Sequence, residues 1–102
     1  MAKYMILALN GPKPGEEQEI QYNRWYDDVH LPELRAVDGI VGTRRFKALG
    51  DKAPWPYFAA YEVETDDLPA FLARMSAATT GYDPSFDREG SSSILAVEIK
   101  AL

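Results

Sequence analysis

Apolar residues alternate at the start of the chain. From Lys3 to Leu9, Tyr4, Ile6 and Ala8 alternate with Met5, Leu7 and Leu9, so this predicted strand is apolar on both faces and needs cover on both. Asn10 to Gly15 reads as a loop, with two glycines and two prolines. The period then becomes helical from Glu16 to Val29, where Tyr22, Trp25, Tyr26 and Val29 fall at i, i+3, i+4 and i+7 and Glu16, Glu17 and Glu19 favour the helix N-terminus. Pro32 marks a break, followed by a short helical turn over Glu33 to Val37.

A second strand is predicted over Gly39 to Leu49, with Ile40, Gly42, Arg44, Phe46 and Ala48 on one face and Val41, Thr43, Arg45 and Lys47 on the other. A turn over Gly50 to Pro56 joins it to a third, Tyr57 to Val63, in a hairpin. A second helix starts at Thr65 to Asp67, carries Pro69 in its first turn, repeats Leu68, Phe71, Leu72 and Met75 on one side, and ends at Gly81. Tyr82 to Ser93 is irregular but holds Tyr82 and Phe86. It is expected to be a mobile loop that covers a cleft or reaches a partner. Ile94 to Lys100 is the last strand.

The order β-α-β-β-α-β predicts an α+β, ferredoxin-like domain, with a four-stranded antiparallel sheet and both helices on one face. Two helices cannot cover both faces of such a sheet. The apolar face left over predicts a homodimer, built by packing one sheet against a second copy.

Composition narrows the chemistry. The 102 residues form one domain, 1–102. No apolar run approaches the roughly 20 residues of a membrane span, and no leader pattern is present, so a cytoplasmic protein without membrane contact is expected. The net charge of −5 opposes nucleic-acid binding. There is no cysteine and a single histidine, His30, so neither thiolate chemistry nor a metal site within one chain is expected. No cofactor is assigned.

Residues Tyr22 to Glu33 carry the densest candidate chemistry. On a regular helix Asn23, Tyr26 and His30 share one strip, flanked by Asp27. A neutral imidazole at the edge of the core can take a proton from a small-molecule substrate, with Asp27 orienting the ring. Capping the helix end is the alternative role of His30. Trp25, Tyr26, Asn23 and Tyr61 are the candidate lining, although core packing is the favoured role for Trp25. Arg44 and Arg45 point to opposite faces, so one of them lies on a covered side and needs Glu62, Glu98 or an anionic ligand as partner. Arg45 is taken as a substrate-binding candidate.

The runs W-Y-D-D-V-H-L-P-E-L (Trp25 to Leu34), D-G-I-V-G-T-R-R-F (Asp38 to Phe46) and P-Y-F-A-A-Y-E-V (Pro56 to Val63) resemble the EthD-like branch of the dimeric α/β-barrel superfamily. The resemblance implies a ferredoxin-like protomer that dimerises through its sheets into a dimeric α/β barrel. It also implies chemistry of the kind found among its cofactor-independent monooxygenases, lactone isomerases and polyketide cyclases, although other branches bind haem. In lactone isomerases of this kind a histidine after the first helix lies in the cleft, and His30 occupies the matching position. The cysteine that some of those isomerases also use is absent. The expectation is proton-transfer chemistry (isomerase, cyclase or oxygenase) on an aromatic or lactone-like substrate. The alternative is a non-catalytic ligand-binding or accessory protein of a degradation pathway.

Overall fold

The computed structural model describes residues 1–79 and 81–102. Strand β1 (Ala2–Asn10) leads to helix α1 (Glu16–Trp25), which passes through a π-helical turn (Tyr26–His30) into α2 (Leu31–Arg35). Strands β2 (Ile40–Lys47) and β3 (Tyr57–Thr65) follow, then α3 (Leu68–Ala78) and β4 (Ser92–Val97). All neighbouring strands are antiparallel, in the order β2-β3-β1-β4. This is the ferredoxin-like arrangement.

One part of the expected fold class is corrected. The four strands form an open sheet rather than a barrel: the sheet ends at β2 on one side and β4 on the other, and these two strands do not meet. Four strands are too few to curl into closure, which takes about eight in small barrels.

The helix-facing side of the sheet is set by alternation. Tyr4, Ile6, Ala8 and Asn10 of β1 register with Val63, Tyr61, Ala59 and Tyr57 of β3. Ile6, Asn10 and all four of those β3 residues are buried. Asn10 therefore ends the first strand instead of beginning a loop. In β2, Ile40 pairs with Val63 but Gly42 pairs with Glu62, so a bulge at Val41 moves Ile40 to the helix side with Thr43 and Arg45. Strict alternation places Ile40 on the opposite face, and the bulge corrects that assignment.

The expected helix break at Pro32 is also corrected. Backbone angles stay right-handed helical from Trp25 through Leu31, and Pro32 falls in the first turn of α2. The Leu31 amide reaches back to the Tyr26 carbonyl, an i→i+5 bond that widens the turn immediately before the proline. A widened turn accommodates a residue that lacks an N–H and whose ring crowds the preceding turn. Further along, Gly39 has φ +109°, and a Cβ there would lie 2.7 Å from Cδ1 of the fully buried Phe71, so side-chain packing as well as backbone conformation requires glycine. Asp67 caps α3 by accepting from the Ala70 amide at 3.1 Å, as its sequence position predicts.

Among the described residues no helix is long and apolar enough to cross a membrane.

Candidate functional site

The helices leave β4 bare on the helix side, where Leu95 and Val97 are 44% and 54% exposed. A cleft of about 430 Å³ opens over that edge. Its floor is Ile6, Ala8 and Asn10 of β1, Tyr61 of β3 and Leu95 of β4. Tyr26 and His30 of the π turn and Leu34 of α2 form one wall, and Leu72 and Met75 of α3 form another. The loop after α3 closes the end with Tyr82, Phe86 and Ser91.

The π turn fixes His30. On a regular helix residues five apart are separated by about 140° around the axis. Here the Trp25 and His30 rings stack at 4.7 Å and 19°. Tyr26 meets the same imidazole edge-on at 4.9 Å, and Tyr82 tilts against it at 5.8 Å. His30 is 5% exposed. Its Nδ1 lies 3.8 Å from Glu33 Oε1, just beyond hydrogen-bond range. Burial lowers the imidazole pKa below its usual value, against an opposing pull from Glu33, and leaves the ring neutral at physiological pH.

A chain of polar side chains runs beneath the cleft. The Tyr22 hydroxyl donates to Asn10 Oδ1, and Asn10 Nδ2 donates to the Tyr26 hydroxyl at 3.4 Å. The Tyr26 and Tyr61 oxygens are 2.6 Å apart. Tyr22, Tyr26 and Tyr61 are all buried, the last two against the cleft, and burial raises the pKa of each phenol above its ordinary value, so all three stay protonated.

Arg45, Asp27 and Asn23 gather elsewhere. Arg45 donates to Asp27 Oδ1 at 2.8 Å and to Asn23 Oδ1 at 2.9 Å, and its guanidinium lies 4.4 Å from the Tyr26 ring centroid. Asn23 Nδ2 also donates to the Tyr57 hydroxyl, which donates to Glu19 at 2.6 Å. Arg45 is thus the arginine on the covered side, and its protein partners are Asp27 and Asn23, not Glu62 or Glu98. Glu62 sits with Arg44 on the opposite face, at 3.5 Å. The carboxylate nearest the imidazole belongs to Glu33, while that of Asp27 is held by Arg45.

Of the sequence candidates, His30, Tyr26 and Tyr61 line the cleft. Trp25 backs the imidazole, and Asn23, Asp27 and Arg45 brace Tyr26 and Tyr57 from outside. Asn10 and Glu33 were not among the candidates. The signal for Asn10 was its place in the Tyr4, Ile6, Ala8 series, and that for Glu33 its i+3 spacing from His30. Residues 82–91 do cover the cleft, but as an anchored wall: Lys13 and Asp87 amides bond to Ser85 and Gly11 carbonyls across to the loop after β1, at 2.8 and 3.1 Å. Among the described residues no group of three or more His, Cys, Asp or Glu side chains is placed to hold a metal ion.

No protein-family model matches the chain, and no curated protein matches it. Solved structures do. A candidate monooxygenase from Shewanella loihica PV-4 is 13% identical with a TM-score of 0.64, over 99% of each chain. An EthD (ethyl tert-butyl ether) family protein from Bacillus halodurans C-125 is 12% identical with a TM-score of 0.59, over 97% of this chain and 100% of the other. A dimeric ferredoxin-like protein of unknown function from Thermobifida fusca YX is 14% identical with a TM-score of 0.62, over 95% of this chain and 92% of the other. At these identities the likeness establishes the shared ferredoxin-like fold.

Proposed function

We propose that the cleft binds a small, largely apolar carbonyl or phenolic compound, aromatic or lactone-like, and that His30 moves a proton on it without metal or organic cofactor. The observation that carries this reading is a buried, neutral imidazole set in the wall of a cleft of mixed apolar and hydroxyl-bearing lining, beside the Tyr26–Tyr61 hydroxyl pair. In the tautomer that carries its proton on Nδ1, the nitrogen 3.8 Å from Glu33, the ring keeps the Nε2 lone pair for a substrate proton. Glu33 takes the orienting role, and its charge favours the imidazolium formed when the proton arrives. Trp25 and Tyr26 hold the ring plane. Arg45, Asn23 and Asp27 form the frame behind Tyr26.

The protein works as a dimer in this reading. The sheet face away from the helices carries Leu7, Leu9, Phe46, Phe58 and Ile94, with Phe46 stacked on Phe58 at 4.8 Å. Such a face is covered most simply by its own copy, and the Thermobifida fusca protein of the same fold is dimeric.

The test follows the proton rather than a particular product. Aromatic ketones and butenolides in D2O report abstraction as deuterium uptake at the carbon next to the carbonyl. The wild-type protein is expected to accelerate uptake for at least one class, and His30→Gln to lower that rate about 10²-fold or more while leaving the fold intact. Ligand binding with no exchange above background would identify a carrier instead of an enzyme.

A further inference from the structure

Two phenol protons meet at the Tyr26–Tyr61 pair, and only one can lie between oxygens 2.6 Å apart. The other needs an acceptor of its own. On this side Asn10 presents Nδ2, a donor, because its Oδ1 is turned to the Tyr22 hydroxyl. Arg45, over the Tyr26 ring, is also donor-only. No side-chain acceptor among the described residues is therefore seen to take the second proton, and both tyrosines line the cleft.

Which tyrosine holds it follows from polarisation. The Asn10 amide donates to the Tyr26 oxygen, which makes the Tyr26 O–H the better donor toward Tyr61. The bonds then run in one direction: Asn10 to Tyr26, Tyr26 to Tyr61, and Tyr61 into the cleft.

We propose that the Tyr61 hydroxyl is the hydrogen-bond donor that holds the substrate's carbonyl or enolate oxygen, and that Asn10 is the positioning residue that directs this donor into the cleft. The proposal rests on the carbonyl or phenolic ligand class inferred for the same cleft. It narrows that class to compounds whose oxygen accepts, and it favours the anionic form, because hydrogen bonds to a charged oxygen are the stronger ones. An oxygen that gains charge as His30 removes the proton from the neighbouring carbon is stabilised by the same bond.

The probe is 4-nitrophenol, whose phenolate absorbs in the visible, with nitrobenzene as the isostere that lacks the oxygen. The wild-type protein is expected to bind both and to raise the phenolate fraction of bound 4-nitrophenol near neutral pH. Tyr61→Phe should weaken 4-nitrophenolate binding about tenfold or more and leave nitrobenzene unchanged. Asn10→Asp is the sharper variant. An ionised carboxylate accepts from both Tyr22 and Tyr26, so Tyr61 must spend its proton on Tyr26 and the cleft loses its donor. The same selective loss, with the phenolate signal abolished, is expected although Tyr61 is intact. Should Asn10→Asp fail to fold, Tyr61→Phe still decides. Equal phenolate affinity in wild type and either folded variant would overturn the assignment while leaving the cleft in place. Failure of the wild-type protein to bind either compound would remove the ligand class itself, and the assignment with it.

Discussion

Removing the Asn10 side chain should destabilise the protein by more than the packing it loses. Asn10 is 3% exposed and Tyr22 is fully buried, and the amide is the acceptor for the Tyr22 hydroxyl. Asn10→Ala strands that hydroxyl, at about 1–3 kcal/mol, and removes one donor from Tyr26, at about 0.5–1.5 kcal/mol. A total of roughly 1.5–4.5 kcal/mol is expected. Tyr22→Phe leaves the Asn10 carbonyl oxygen without its donor, at roughly 1–2 kcal/mol. In the double variant neither partner remains to be stranded, so its cost should fall short of the sum by about 1–2 kcal/mol. Urea unfolding at fixed protein concentration, followed by the fluorescence of buried Trp25, measures each corner of the cycle. The slopes should agree and only the midpoints should move. Single-variant costs that add to within about 0.5 kcal/mol would show that the two side chains are not coupled, and the directed chain beneath the cleft would lose its foundation.

Two further predictions concern the frame and the imidazole. Arg45→Lys gives up the planar fork that reaches both Asp27 and Asn23 from a side chain 12% exposed, and should cost about 1–3 kcal/mol; an unchanged thermal midpoint would show that the frame is dispensable. Burial holds the His30 pKa below its unfolded value of 6.5, so as pH falls the unfolded chain takes up the proton first. The His30 contribution is then complete above about pH 6.5 and lost as pH falls toward the folded pKa, and urea midpoints should decline over that window in wild type but less in His30→Gln.

The strands and helices other than β4, which is exposed along its length, could be read from the sequence because each buries one face, and burial imposes a period. Ile6, Tyr61, Trp25 and Phe71 all lie where that period puts them, in the core. What escaped the sequence reading were departures from the period. The bulge at Val41 shifts Ile40 by one residue, and nothing in the local alternation marks it. The π turn rotates His30 onto Trp25 and the end of α1 away from the regular strip, so the carboxylate beside the imidazole is that of Glu33 and not of Asp27. Arg45 found its partners on α1 (Asn23) and the π turn (Asp27) because it lies on the helix side of the sheet, a tertiary relation that strand faces alone do not supply. Asn10 was obscured by the glycines and prolines after it, although it completes the alternation of β1.

The chain's only histidine lets the central claim be tested without substrate or assignment. A proton NMR titration of the imidazole, in free protein and with saturating 4-nitrophenol, reports on His30 alone. The account predicts a single midpoint below 6.5 in the free protein, lowered by burial, that moves when the ligand fills the cleft against the ring. A midpoint at or above 6.5 that does not respond to bound ligand would place the imidazole outside the chemistry of the cleft and contradict the account.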